Sequence, residues 1–279
     1  GNPRILIDIT DTHRIGLETG IQRVVRKIGE AAARSGAALP VFIEDGRLYP
    51  GYAPAGDRKP IEVRKGDRFV LLDSGWIFAE EYRPILDQVS AADGLIVACL
   101  YDLIPIRYPG AYGGQRPRSF VEWIDKVVLG ADAVVAISRS VADDLLVYAE
   151  ETGAVLKPGF SVGWWRLGAD SVAGAPLTPS RHVQKIAAAG SPFFISVGTL
   201  EPRKCHSFAI DTFEQLWNRD VAANYVIVGR KGWHVDALIR RIEEHPAYRK
   251  CLFWVSDAGD ADLHFLYANA RGVIAPSFI

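Results

Sequence analysis

Methionine is absent from the 279 residues, and nothing functional is read from that. Cysteine appears three times, as Cys99, Cys205 and Cys251. That spacing suits neither a disulfide framework nor a zinc site, and it fits a reducing compartment. No charge of one sign dominates. Lys and Arg number 32 against 33 Asp and Glu, for a net charge of −1, which argues against a broad nucleic-acid footprint. No apolar run reaches the roughly 18 residues that a membrane helix needs. The six histidines (His13, His182, His206, His234, His245, His264) show no metal-ligand spacing. There is no G-x-G-x-x-G, no G-K-[ST] phosphate loop and no H-E-x-x-H. These absences lower a dinucleotide dehydrogenase, a P-loop NTPase and a zinc protease.

What is present is an ordinary globular composition, 49% hydrophobic and 23% charged, which excludes disorder as the main state. At roughly 150 residues per domain the length predicts two domains. Apolar β-rich runs alternate with amphipathic stretches, the pattern of βαβ units and a parallel sheet. In the first half, strands are predicted at residues 4–9, 40–43, 69–73, 95–102 and 133–138. Helices are predicted at 21–33, 120–129 and 141–150, the last capped by Ser140. Residues 10–20 read as a glycine-bearing loop, 44–67 as a long loop or short hairpins. The Ala-, Pro-, Ser- and Gly-rich stretch 172–190 reads as a linker, dividing a domain at 1–171 from a second, α/β series at 191–279. That series alternates strands at 193–197, 225–228, 252–255 and 272–275 with helices at 207–218, 235–244 and 261–270. Its few strands read as a domain cut short.

Two glycine turns in the second half follow a strand and precede a helix: Gly198-Thr199-Leu200-Glu201-Pro202-Arg203-Lys204 and Gly229-Arg230-Lys231-Gly232. In doubly wound sheets, ligands bind beyond the carboxyl ends of the strands, and helix N-termini attract phosphate. Arg203 and Lys204 there suit a diphosphate. A solvated turn whose glycine only permits the bend explains the same spacing. In the first half, Gly16 and Gly20 flank another strand-to-helix turn, and Gln22 and Arg23 open the helix, although an ordinary capped βα loop reads identically. Asp102 ends a strand. It is placed to hold a sugar hydroxyl, or to cap the next turn, the commoner use of one Asp.

Several segments taken together resemble glycosyltransferase family 4. Residues 194–206 (FISVGTLEPRKCH) resemble its VGTLEPRKNH signature, closest to bacterial polysaccharide enzymes often described as mannosyltransferases. Residues 226–233 (VIVGRKGW), 252–255 (LFWV), 266–270 (LYANA), 101–105 (YDLIP), 137–145 and 167–170 (LGAD) resemble further family segments, in order along nearly the whole chain. The resemblance implies a GT-B fold of two Rossmann-like domains facing a cleft. The second domain would bind a nucleotide-sugar and the first much of the acceptor. It implies retaining, metal-independent transfer with no cofactor beyond the co-substrate. Gly198, Thr199, Arg203, Lys204, Gly229 and Arg230 would bind the donor, with Arg203 and Lys204 stabilising the departing diphosphate. Gly16, Gly20, Gln22 and Arg23 would form an acceptor or phosphate loop, and Asp102 would sit over the donor sugar.

Subfamily analogy points to GDP-mannose and a surface-polysaccharide or O-antigen acceptor on a lipid carrier. It also points to a cytoplasmic protein, with peripheral contact at the inner face of the cytoplasmic membrane. There are departures. Many relatives have Arg at the position of Thr199, Asn or Gly at Cys205 and His at Tyr101. The family's glutamate-bearing E-G-F-G-L-P stretch is expected after Pro276-Ser277, so the second domain is expected to be incomplete. A nucleotide-sugar epimerase of GT-B shape and a non-catalytic nucleotide- or carbohydrate-binding module remain as alternatives.

Overall fold

Ile5–Asp8 (β1) runs parallel to Leu39–Glu44 (β2) on one side and to Arg68–Leu71 (β4) on the other. This computed structural model describes residues 2–15, 20–54, 58–112, 116–168 and 178–279. The chain divides into two units, 1–168 and 169–279. Among the described residues, no helix is long and apolar enough to cross a membrane.

The first unit is built on a seven-stranded sheet of order β3-β2-β1-β4-β5-β6-β7. Its remaining strands are Arg47–Pro50 (β3), Leu95–Leu100 (β5), Ala133–Ala136 (β6) and Ser161–Trp164 (β7). Every pairing is parallel except the β2–β3 hairpin. Buried on both faces, these strands are near-continuous apolar runs. Successive residues alternate between two cores: Leu6 packs with Phe69 and Leu71 on one face, Ile7 with Val25 and Phe42 on the other. Helix Gly20–Ser35 (α2) covers the second face through Val25 and Ala32. Helices Ala79–Ala91 (α3), Arg118–Trp123 (α5) and Arg139–Thr152 (α6) cover the first.

Several sequence expectations change here. The loop read at 10–20 begins as a helix, Thr10–Ile15 (α1), because Asp8 and Asp73 accept the hydrogen bonds of its opening residues. The helix read at 120–129 starts at Arg118 and continues as a π-helical turn, Ile124–Val128. Ser138, not Ser140, caps α6, accepting from the Val141 amide at 3.2 Å. Helix α3 and strand β7 were not legible as elements. A one-turn helix, Ile104–Arg107 (α4), follows β5.

The second unit carries a four-stranded parallel sheet of order β10-β9-β8-β11. The strands are Phe193–Val197 (β8), Asn224–Val228 (β9), Leu252–Val255 (β10) and Gly272–Val273 (β11). Tyr225 and Ile227 face helices His206–Trp217 (α8) and Asp236–Glu243 (α9). Val226 and Val228 face Arg181–Ala187 (α7) and Asp260–Asn269 (α10). Phe213 stacks on Tyr225 at 4.7 Å. Helix α7 lies inside the stretch read as a linker, yet it buries Val183 and Ile186 in the second unit's core, and Ser180 caps it.

Candidate functional site

In each sheet the chain reverses its direction of strand addition at one point, and such points are where doubly wound sheets open a ligand crevice. In the second unit that point lies between β8 and β11. Beyond the end of β8 comes Gly198, at φ +142°, and beyond β9 comes Gly229, at φ +150°, backbone that side chains rarely adopt. The two glycines touch. A Cβ on Gly229 would overlap the Gly198 carbonyl oxygen and lie 2.6 Å from its carbon. Backbone hydrogen bonds extend the pairing past the strands: Gly198 N to Val228 O at 2.9 Å, Leu200 N to Arg230 O at 2.9 Å, and Gly232 N to Leu200 O at 3.0 Å. The Trp254 indole donates to Gly229 O at 2.9 Å. The turn is thus a fixed shelf, bare of side chains where backbone must approach a ligand.

Pro202–Lys204 forms a short 3₁₀ turn, and Cys205, at φ +51°, bends the chain into α8. The first-turn amides of α8 have no partners within the helix. Lys204 leans over the shelf, its Cε 3.8 Å from the position of a Gly198 Cβ. Burial first, then the Arg203 charge, draws its ammonium below the ordinary lysine value. Arg203 is held differently: its Nε lies 2.7 Å from Glu201 Oε2, with both side chains largely buried. Its charge is balanced within the protein, leaving Lys204 as the cation beside the glycines.

Beneath the shelf runs a buried hydrogen-bond chain. Ser196 Oγ donates to Ile274 O at 2.7 Å, and Tyr225 Oη donates to Ser196 Oγ at 2.9 Å. With both hydroxyl protons committed, His206 Nδ1, 3.3 Å from Tyr225 Oη, must be the protonated nitrogen. Burial, with Lys204 nearby, pulls the His206 pKa down to about 4, so the ring is neutral at pH 7. The chain ties β8, β9, α8 and the segment after β11 into one rigid floor.

In the first unit the reversal lies between β1 and β4. Three carboxylates meet there: Asp8, Asp11 and Asp73, each almost fully buried. Asp8 accepts from Thr10 Oγ1 at 2.5 Å and Tyr82 Oη at 2.9 Å. Asp73 accepts from the Thr12 amide at 2.6 Å and the Ser74 amide at 2.9 Å. Burial pushes all three above the usual carboxylate range, and Asp73 raises the other two further. Asp11 reaches about 6. Asp102 Oδ1 accepts from the Ile104 amide at 3.0 Å, so it caps the turn into α4. It also lines a cavity of about 170 Å³ with Ser74, Trp76, Tyr101 and Phe120.

Of the residues named from the sequence, the structure brings Gly198, Thr199, Arg203, Lys204 and Gly229 to one turn. Arg230 joins it through its backbone, its side chain being exposed. Gly20 opens α2, Gln22 is buried 3.5 Å from Asp11 Oδ2, and Arg23 is exposed. Gly16 lies outside the described residues. The sequence reading missed the acidic cluster and the His206 chain. An aspartate closing an apolar strand, as Asp8 and Asp73 do, was the available signal for the first. Nothing in local spacing announced the second.

Residues 180–278 match the family model described as glycosyl transferases group 1. Over 98% of its length the chain is 32% identical to an Escherichia coli protein named serotype-specific mannosyltransferase WbdA. It covers 35% of that relative, so it spans about a third of the length of the curated relatives it matches. Among solved structures, Anabaena Alr3699/HepE, in complex with UDP-glucose, aligns with a TM-score of 0.58 at 14% identity, over 98% of this chain and 73% of that one. The catalytic domain of starch synthase IV from Arabidopsis thaliana, bound to ADP and acarbose, aligns at 0.55 and 12% identity, over 100% and 79%. Residues 180–278 thus carry the group 1 glycosyl transferase segment, and the chain shares the GT-B fold of the solved glycosyltransferases it aligns with.

Proposed function

We propose that the chain is a hexosyltransferase module that moves a sugar from a nucleotide-sugar to a saccharide acceptor with retention of configuration. The observation that carries this is the glycine shelf of Gly198 and Gly229 with Lys204 leaning over it at the N-terminus of α8. A diphosphate laid there accepts from the first-turn amides of α8, the amides of Gly198, Leu200, Gly229 and Gly232 being paired along the sheet, and meets a lysine point charge. As the glycosidic bond to phosphate breaks, negative charge grows on the leaving diphosphate. A cation fixed in a partly buried place stabilises that charge without reorganising. Lys204 takes this role, Arg203 supports it while balanced by Glu201, and Thr199 and Arg230 border the donor. No metal is needed for such a leaving group.

The name of the curated relatives, mannosyltransferase, supports mannose as the sugar, and GDP-mannose is the donor proposed with it. In the first unit, Gly16, Gly20, Gln22 and Arg23 serve the acceptor or a phosphate, and Asp102 takes a hydroxyl of the donor sugar. That acceptor is a growing surface polysaccharide, lipid-linked and met at the inner face of the cytoplasmic membrane. The test is release of nucleoside diphosphate from a panel of nucleotide-sugars, with and without a mannose-containing oligosaccharide acceptor. Acceptor-dependent release from GDP-mannose, lost in Lys204→Ala, is expected. Nucleotide binding with no release from any donor would establish a non-catalytic binding module instead. Donor turnover without acceptor would establish an epimerase.

A further inference from the structure

A second cavity lies at the edge of the sheet that carries the shelf, and Trp254, which lines it, bonds the shelf's Gly229 carbonyl through its indole. The cavity opens beside β10, which among the described residues is an edge strand of the sheet, paired with β9. Its volume is about 470 Å³, within the range of small-molecule sites. Its wall joins α7 to the turn that enters β10. Four basic side chains line it: His182 and Lys185 from α7, Arg249 and Lys250 from the turn. No carboxylate is among the lining residues. Among the described residues, none of Lys185, Arg249 and Lys250 forms an ion pair. The rest of the wall includes Tyr248, Phe253 and Trp254. The Arg249 guanidinium stands 5.3 Å over the Tyr248 ring, which holds it at the rim.

In a chain of net charge −1, three uncompensated cations around one concavity form a local field that favours a multiply charged anion. Arginine forks and lysine point charges are the groups that hold phosphate. The aromatic wall adds an apolar face for whatever carries the phosphate. Arg249 and Lys250 precede β10, whereas the glycine shelf follows β8 and β9. The length of a four-residue strand, about 13 Å, therefore separates the two ends, and one diphosphate cannot fill both places.

We propose that this cavity is a second anion site, taking a phosphate group borne on a ring or an apolar body. The site stands whether or not the shelf binds a nucleotide-sugar. The test uses the whole chain at low salt with two probes, inorganic pyrophosphate by calorimetry and phosphatidylglycerol vesicles by sedimentation. The variants are Lys185→Glu combined with Lys250→Glu, and Lys204→Ala as the control for the shelf. Lys185 and Lys250 are exposed, and an unchanged urea midpoint verifies that the double variant is folded. The expected result is pyrophosphate binding that persists in Lys204→Ala and weakens at least tenfold when Lys185→Glu and Lys250→Glu are added to Lys204→Ala. GDP binding in the double variant stays unchanged. Vesicle binding lost in the double variant, without pyrophosphate binding, assigns the phosphate to a lipid headgroup and also supports the site. Pyrophosphate binding lost only in Lys204→Ala, with no vesicle binding, overturns it. Binding of poly-glutamate with neither phosphate probe overturns it in favour of an acidic protein partner.

Discussion

Replacing Gly229 by alanine tests both the stability of the second unit and the origin of its binding surface. At φ +150° the backbone lies where side chains cost about 1–3 kcal/mol. The added carbon would also overlap the Gly198 carbonyl oxygen and sit 2.6 Å from the carbonyl carbon. Ordinary contact needs about 3.4 Å or more, so the two strand ends must part by about 1.5 Å. Forcing an extra methyl into a packed site costs typically 1–3 kcal/mol. The two contributions together amount to about 2–6 kcal/mol, a large fraction of the 5–15 kcal/mol that holds a typical domain. Gly198→Ala makes the internal comparison. Its φ is +142°, yet its new carbon meets only Lys204 Cε at 3.8 Å, so it suffers the backbone cost alone. With a urea slope of about 2 kcal/mol/M, the Gly229→Ala midpoint falls by about 1–3 M, and that of Gly198→Ala by about half as much. GDP titration, run well below both midpoints, shows weakened binding in each, because the shelf is displaced or covered. Equal midpoints for the two variants, or a Gly229→Ala protein within 1 kcal/mol of the parent with unchanged GDP affinity, would refute the reasoning.

Lys204→Ala weakens GDP binding at least tenfold, about 1.4 kcal/mol, with little effect on the urea midpoint. Arg203→Ala does the reverse: it leaves Glu201 buried without its cation and destabilises the fold by roughly 2 kcal/mol or more, while its loss of affinity is the smaller of the two. Cys205→Gly raises stability by about 0.5–1 kcal/mol, because glycine accepts the left-handed φ of +51° that cysteine must strain to hold; calorimetric melting is the check. Asp11 carries a folded-state pKa of about 6 against 3.8 for an ordinary aspartate. The folded state therefore holds the extra proton, and Asp11's share of the stability is lost as pH rises from about 4 to 6, while the raised Asp8 carries the fall on toward 7. Asp11→Asn removes about 1–2 kcal/mol of that fall, the pH distance being discounted about half for solvent screening. Urea midpoints across that pH range decide it, and parallel profiles for parent and variant would count against a raised Asp11.

The sequence by itself determined the class and order of most elements. Continuous apolar runs such as Phe193–Val197 and Tyr225–Val228 read as strands buried on two faces, and helical spacing in residues 21–33 reads as a helix with one buried face. The glycine turns at Gly198 and Gly229 were legible too, because strand, glycine and helix follow one another within a few residues. Only the tertiary structure decided that these two glycines touch, since their contact depends on β8 and β9 being neighbours in register. The same holds for Arg203, whose charge the sequence leaves available and whose pairing with Glu201 depends on the fold of the 3₁₀ turn. Helix α7 read as a linker because its composition is permissive, and burial of Val183 and Ile186 against β8 and β9 overrides that composition. Asp8, Asp11 and Asp73 are ordinary aspartates in the chain. They become a buried, proton-holding cluster because β1 and β4 lie side by side, although 60 or more residues separate Asp8 and Asp11 from Asp73 along the chain. Local pattern reports what each segment can bury, whereas contacts between distant segments are fixed by the sheet order that all the segments settle together.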